Sequence, residues 1–480
     1  MRAGLPTGRG GTSLASIGRH RKPKAERGYL ASVRATAITN LAITAVSAVM
    51  GIGIARCLGP AGRGAYAIVT SYTQAAATIG ELGLTASICY FVARYPDRAA
   101  DVVRTGGALL LALGVVVGAG GILAAPLVFP HDAAAAATFR VAFAAQPLIF
   151  VSGCLVFALQ ATRLPAWNLV RAVQPLVQAA VVSTVAVAAG LTIGRTVGGL
   201  LVSTAVQTAA AFVLWRRECP TRGRIRHRDA AELMRYGGAV FLSTVPFLLT
   251  AYLDVLILAL LVDPAKVGLY AVAVSMSMLS QPICVAFGNV AMPLLARHAA
   301  TKPVSDESAG LAAGRNPPVA RHVRRTAGLA VGASLLSGTV VAGLISAAAP
   351  VLVPLLFGAH YERSIGLLWL LAPGAVLLGC NRVMDDLLRG LGRSLTVARC
   401  EGVGAVLTVV GLAVLVPALG IAGAAITSTA AYSVAFLFLL RALLRAIGVP
   451  VRAVPSQARG LIAIRIAGAR GAIPTNAERR

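Results

Sequence analysis

The sequence predicts an all-α integral membrane protein of about twelve transmembrane helices, arranged as two six-helix lobes related by a pseudo-twofold axis along the membrane normal. Three observations carry that prediction. Hydrophobic residues make up 57% of the chain, charged residues only 13%, and the mean hydropathy is +0.78. Apolar stretches long enough to cross roughly 30 Å of hydrocarbon recur along the whole length. Two separate sets of residues repeat in the second half of the chain, in equivalent apolar segments.

Taken in order, the apolar segments lie near 33–55, 66–93, 106–129, 138–160, 167–190 and 195–215, then 236–261, 268–296, 326–350, 364–388, 400–417 and 420–444. Each is a continuous apolar run without the polar alternation of a barrel strand, which selects helices. Residues 1–32 are basic and Gly-rich and lack an apolar core, so they read as a disordered cytoplasmic tail, with the first helix as export signal. The organisation is then an N-terminal lobe over 33–215, a basic cytoplasmic linker over 216–235, a C-terminal lobe over 236–444 and a basic cytoplasmic tail over 445–480.

The repeat is visible as Pro-Ala-x-x-Gly-x-Tyr-Ala, at Pro60-Ala61-Gly64-Tyr66-Ala67 and again 204 residues later at Pro264-Ala265-Gly268-Tyr270-Ala271. Pro147, Gly153, Cys154 and Arg163 recur 226 residues on as Pro373, Gly379, Cys380 and Arg389. Six crossings per repeat is an even number, so both halves share one orientation. The two offsets differ mainly because the cytoplasmic loop Arg297–Arg325, with its polar run Thr301–Pro318, is longer than its counterpart Arg94–Arg104. In each copy of the first motif, Pro and Gly suit a tight turn and Tyr suits the membrane interface, which predicts a structural hinge.

A net charge of +27 would point to nucleic acid in a soluble protein, but the placement of the basic residues sets topology instead. With the N-terminus inside, 37 of the 44 Lys and Arg residues fall on the cytoplasmic side, and only Arg56, Arg63, Arg140, Arg195, Lys266 and Arg363 fall outside. The chain is therefore expected in the cytoplasmic (inner) membrane, multi-pass, with both termini cytoplasmic. Runs such as Arg222-Gly223-Arg224-Ile225-Arg226-His227-Arg228 lie against anionic lipid, and no nucleic-acid partner is expected. Seven cysteines make no C-x-x-C or Cys/His cluster, so neither a disulfide framework nor a metal site is indicated. No Gly-x-x-x-x-Gly-Lys-Ser/Thr sequence is present, and no cofactor is expected. With 17 acidic residues, none paired at an outer surface, and only short outside loops, the sequence offers no catalytic lobe of a glycosyltransferase or polymerase.

Polar residues inside the helices supply the candidate site, because each costs free energy unless it meets protein or water. Gln74, Thr78, Glu81 and Thr85 share one helical face by their spacing, as do Thr36, Asn40, Thr44 and Ser47 on the first helix. In the second half Ser243, Thr250 and Asp254 form a stripe, and Ser277 and Gln281 another. Asn168, Arg171, Gln174 and Gln178 share a broad face of the fifth helix. The substrate-cavity candidates are thus Asn40, Gln74, Thr78, Glu81, Arg171, Gln178, Asp254 and Gln281, with Ser and Thr alone equally suited to ordinary helix contacts. Arg382 has Asp385 and Asp386 at i+3 and i+4, the spacing of a local ion pair. Trp167, Trp215, Tyr95 and Tyr236 on one side, and Tyr66, Tyr270 and Tyr361 on the other, read as interfacial anchors.

Arg56 to Tyr66, Gly83-Leu84-Thr85-Ala86-Ser87 closing on Ala93-Arg94, and Tyr252-Leu253-Asp254 running to Gly268-Leu269-Tyr270 resemble the polysaccharide transporter branch of the multidrug/oligosaccharidyl-lipid/polysaccharide exporter superfamily. The resemblance covers residues of about 30 to 445. It implies a flippase that moves an undecaprenyl-pyrophosphate-linked oligosaccharide by alternating access, for lipopolysaccharide or exopolysaccharide synthesis. It further implies as partners that lipid-linked oligosaccharide, a proton or sodium gradient, and the glycosyltransferases and polymerase of the same pathway. Multidrug-exporter-like and lipid II flippase-like readings stay open, although Ala75, Ala76 and Ala77 stand where lipid II flippases carry cavity arginines.

Overall fold

The structure is a computed structural model that describes residues 24–221, 223–288, 317–391 and 393–448. The N-terminal half comprises α1 (Lys24–Gly80), α2 (Leu84–Arg94), α3 (Ala99–Val128), α4 (Ala133–Ala144), α5 (Gln146–Thr162), α6 (Leu164–Ala189) and α7 (Ile193–Glu218). The C-terminal half comprises α8 (His227–Leu261), α9 (Pro264–Ser277), α10 (Pro317–Phe357), α11 (Arg363–Gly390), α12 (Ser394–Leu419) and α13 (Ile421–Ala446). The polar run Thr301–Pro318 falls almost wholly outside the described residues.

Ten stretches of the described residues are long and apolar enough to cross a membrane. The first of them, Ile38–Gly80, is 43 residues long, or about 65 Å of helix, enough for two crossings. It bends at Gly59 (φ 66°, ψ −179°), a left-handed corner open to glycine, and Pro60 starts the second arm with φ preset for a helix. Adding that second crossing and α8 to the ten recovers the twelve predicted segments.

Boundaries differ from the sequence reading where helices run past the hydrocarbon. α1 begins at Lys24, inside the predicted disordered tail, and α8 begins at His227, inside the predicted linker 216–235. At the start of α8 the exposed His227 and Arg228 let the helix run on, because their side chains stay in water while the backbone bonds continue. The predicted second segment 66–93 is not one helix. It breaks at Glu81-Leu82-Gly83, where Leu82 (φ 49°) and Gly83 (φ 70°) turn left-handed before α2 starts. Its counterpart in the second half is interrupted too, by a 3-10 turn at Met278–Ser280.

Two ends of the bundle can be told apart without reference to a membrane. The terminal face holds Lys24 and Ala446, and the distal face holds the Gly59 corner, the α8–α9 turn and the α12–α13 turn. At the distal face one continuous apolar core runs through both halves, joining Ile54, Ile68 and Phe139 to Tyr270, Tyr361, Leu368 and Leu412. At the terminal face the cores are separate among the described residues: one around Ile88, Val103, Leu159 and Trp215, the other around Ala327, Met384, Leu387 and Leu443.

α8 belongs to both halves. Its first turns pack on α2 and α3: Leu233 sits in the N-terminal core, the Ser87 hydroxyl donates to the Leu233 carbonyl at 3.0 Å, and Arg98 pairs with buried Asp229. Its last turns join the distal core through Leu258. A lobe boundary at 236 therefore assigns to the C-terminal lobe a helix whose start is held by the N-terminal one. The physical reason is the closest backbone approach in this region, where Gly237 abuts the Leu82-Gly83 break; a side chain on either glycine would collide with the other strand of backbone.

Candidate functional site

The repeated motif meets itself. α1 and α9 cross at the distal face with Gly64 against Pro264 and Gly268, and Gly268 against Pro60 and Gly64. A Cβ on Gly64 would overlap the Pro264 carbonyl oxygen and sit 2.8 Å from the Gly268 nitrogen; a Cβ on Gly268 would overlap the Pro60 carbonyl and sit 3.0 Å from the Gly64 nitrogen. The contact is reciprocal, as a pseudo-twofold axis through it requires. Two further bonds cross the same seam, from the Tyr361 hydroxyl to the Ala55 carbonyl (3.0 Å) and from the Tyr72 hydroxyl to the Leu256 carbonyl (2.9 Å). The motif is thus the closure between the halves at this end, whereas a hinge was expected from sequence.

The motif tyrosines are not interfacial anchors. Tyr270 and Tyr361 are fully buried, and each motif ring reaches a polar partner within its own half: Tyr66 accepts from Gln178 Nε2 (3.3 Å), and Tyr270 donates to Asp254 Oδ2 (2.7 Å). At the terminal face Trp215 is buried as well, and Tyr236 stacks on Tyr90 with ring centroids 4.5 Å apart. Tyr95 and half-buried Trp167 retain exposure.

The sequence-predicted candidates separate into three groups. Asn40 and Gln74 are exposed, and their side-chain amides make no hydrogen bond among the described residues. Thr78, on the arm of α1 that carries Gly64 and reaches across through Tyr72, and Glu81, just past the end of that arm, are half-buried, with Thr78 hydrogen-bonded to the Gln74 carbonyl and to Tyr252 and Glu81 to Thr85. Arg171 is half-buried with its guanidinium over the Trp167 ring at 4.4 Å, a cation–π contact. Gln178, Asp254 and Gln281 are instead consumed by internal bonds: Gln178 by Tyr66, Asp254 by Tyr270 and the Val255 amide, and Gln281 by the Ala375 carbonyl (2.5 Å).

The break at Glu81–Gly83 falls inside the predicted four-residue face, although Glu81 still reaches the Thr85 side chain across it. Thr85 lies beyond it, buried within α2, and the side chains of Ser243 and Thr250 lie outside the described residues. Asn168 donates to Thr36 (2.9 Å), which ties the polar faces of the first arm and α6 together. Between these same two helices, nearer the distal face, an apolar cleft of about 440 Å³ is lined by Val46, Val49, Met50, Val182 and Ala186.

Sequence reasoning missed a buried acidic pair. Asp385 is 1% exposed and both of its carboxylate oxygens lack a hydrogen-bond partner. Glu401 on α12 is buried within electrostatic reach of it, with Arg382 and Arg389 also near. Asn381, one turn before Asp385, also leaves its side-chain oxygen unpartnered. The signal was present as Glu401 opening an otherwise apolar helix, but only packing brings it to Asp385. No group of three or more His, Cys, Asp and Glu side chains that could hold a metal ion occurs among the described residues.

Two pseudo-symmetric helical halves, broken crossings in each, and a seam at one end define a multi-pass membrane protein with a two-lobe transporter fold. The family model described as "Polysaccharide biosynthesis protein" matches residues 30–298, and the chain belongs to that family. Among solved structures it is similar to an inward-facing multidrug resistance MATE family transporter of the MOP superfamily, at 17% identity and TM-score 0.64 over 85% of this chain and 98% of that one. It is also similar to the lipid II flippase MurJ in an inward closed conformation, at 10% identity and TM-score 0.68 over 86% and 88% of the two chains. A third, a MOP superfamily transporter from Pyrococcus furiosus, gives 17% identity and TM-score 0.58 over 86% and 95%. No curated protein sequence matches the chain.

Proposed function

We propose that this protein is a flippase that carries an oligosaccharide linked to undecaprenyl pyrophosphate from the inner to the outer leaflet of the cytoplasmic membrane, by alternating access, in the synthesis of a surface polysaccharide. The observation that carries this reading is the unequal joining of the lobes: one shared core at the distal face, separate cores at the terminal face. The 37-to-6 distribution of basic residues puts the terminal face in the cytoplasm, so this conformation is sealed to the outside and divided on the side where a lipid-linked sugar is assembled.

Exposed amides at Asn40 and Gln74 fit water or glycan between the lobes, since an unpaired amide in hydrocarbon costs several kcal/mol. Thr78 and Glu81 extend that polar wall, and Arg171 offers a cation for the pyrophosphate. Buried carboxyls at Asp385 and Glu401 require a proton or a cation, which gives coupling to a proton or sodium gradient a chemical basis. Transport of this kind breaks no bond in the substrate, and no catalytic role is assigned to any residue.

The test is reconstitution. Purified protein in proteoliposomes should render a fluorescent short-chain undecaprenyl-pyrophosphate oligosaccharide accessible to a membrane-impermeant lectin or quencher on the opposite leaflet, while lipid II and cationic dyes stay put. Movement of dyes or lipid II alone would replace the oligosaccharide reading with the drug-exporter or lipid II one.

A further inference from the structure

The duplication provides an internal control for every residue of the Pro-Ala-x-x-Gly-x-Tyr-Ala motif. What both copies share is needed to build the seam; what only one copy has is not. The residue before the seam glycine is Arg63 in the first copy and fully buried Val267 in the second. The fold therefore constructs the same turn, helix start and glycine contact with an apolar residue at this position, and the arginine is an addition.

Its surroundings make it an unusual one. Among the described residues the Arg63 guanidinium has neither a hydrogen bond nor an ion pair, and its Nε is enclosed and unpartnered. Its ring neighbour is Tyr66 of its own lobe, 5.7 Å from Arg63 Cζ to the ring centroid, and Tyr361 of the opposite lobe lies within electrostatic reach. A cation–π contact with one tyrosine offsets only part of the cost of covering a charge. Arg63 is also one of just six basic residues on the outer side, against 37 inside. Arg63 adjoins the seam glycine Gly64, and Tyr361 is anchored across the same seam through the Ala55 carbonyl, so parting of the lobes at Gly64 and Gly268 opens the surroundings of Arg63.

We propose that Arg63 is a phosphate-binding residue of the outer mouth, half-buried beside the Gly64–Gly268 seam while it is closed and presented to an anionic phosphate when it opens. A planar guanidinium with free donors matches the oxygens of a phosphate or diphosphate ester, and the outer mouth is where the head of a lipid-linked product emerges. The ligand class is the phosphate group of an amphiphile, supplied either by the diphosphate of a lipid-linked sugar or by the headgroup of an outer-leaflet phospholipid. The first source rests on the flippase reading; the second does not.

The experiment uses full-length protein in nanodiscs of zwitterionic lipid, titrated with farnesyl diphosphate as probe and farnesol as its phosphate-free control. Arg63→Val installs the residue the second copy already folds with, and Arg63→Lys keeps the charge. Farnesyl diphosphate should bind Arg63→Val roughly ten- to a hundred-fold more weakly than wild type, with partial recovery in Arg63→Lys and no change for farnesol. Equal affinity of wild type and Arg63→Val for farnesyl diphosphate overturns the proposal. Repeating the titration in nanodiscs containing phosphatidylglycerol separates the sources: loss of the wild-type advantage there assigns the site to lipid headgroups, and its persistence assigns it to the diphosphate. Oligosaccharide flipping by wild type, measured in parallel, stands apart from both arms. A wild type that binds through Arg63 but flips nothing sinks the function and keeps the site, whereas one that flips with an indifferent Arg63 does the reverse.

Discussion

Gly64→Ala should push the two lobes apart at the distal face. The new methyl would overlap the Pro264 carbonyl oxygen and lie 2.8 Å from the Gly268 nitrogen, against a comfortable separation of about 3.5 Å, so α1 and α9 must part by on the order of 1 Å. Neither neighbour is a flexible side-chain end; both are helix backbone within the first turn after Pro264, which cannot yield locally. Overpacking of this kind costs about 1–3 kcal/mol, and the cost falls only on the state with the seam closed. The ratio of open to closed at this end should then rise roughly five- to a hundred-fold. Hydrogen–deuterium exchange of the full chain in detergent reads this directly, as faster exchange across 55–70 and 260–275. Gly268→Ala, meeting Pro60, should do the same, and the double variant should add little, because one wedge already opens the contact. Gly53→Ala on the same helix meets nothing within 4 Å and is the control. Unchanged exchange in Gly64→Ala, with thermal stability equal to wild type, would refute the reciprocal seam.

Tyr270→Phe removes the hydroxyl donor from buried Asp254 Oδ2 and should lower stability by about 1–3 kcal/mol, read as a lower Tm in detergent, while Tyr66→Phe, losing a longer neutral bond to Gln178, should cost less. Arg98→Ala leaves the Asp229 carboxylate buried without its ion pair, so the start of α8 should loosen from α2 and α3 and the 219–228 connection should be cut faster by trypsin; an unchanged cleavage rate would show that Gly83, Gly237 and Ser87 suffice. Glu81→Gln should slow glycan export without loss of folded protein, and full export would remove Glu81 from the transport path. Asp385→Asn removes the charge from an unpartnered carboxyl, so it should leave the unfolding free energy within about 1 kcal/mol of wild type, or raise it, read as an equal or higher Tm, while reducing the dependence of flipping on the ion gradient.

Membrane insertion makes polarity informative in a sequence: Asn40, Gln74, Thr78 and Glu81 stand out as amides, a hydroxyl and an acid inside apolar runs, and all four are at least partly exposed. The reading failed where two polar groups satisfy each other. Asp254 and Tyr270 are 16 residues apart and Gln178 and Tyr66 are 112 apart; in each case the interfacial tyrosine and the cavity residue proved to be one buried hydrogen bond. Periodicity also assumed an unbroken helix over 66–93. Gly83 alone was a weak sign of a break, and the close passage of α8 at Gly237 is what holds Leu82 and Gly83 in their left-handed turn.

By itself the sequence determined the solvent, the number of crossings and the duplication, because hydropathy and repeat spacing are written along the chain and need no contact to be read. Only the tertiary structure decided that the two copies of the motif lie on each other, that α8 is shared between the lobes, that Asp385 lies within electrostatic reach of Glu401, and that Arg63 is half-buried beside the seam. Each of those depends on residues tens to hundreds of positions apart meeting across helix faces, where glycine lets two backbones touch and a buried charge is defined by what happens to lie beside it.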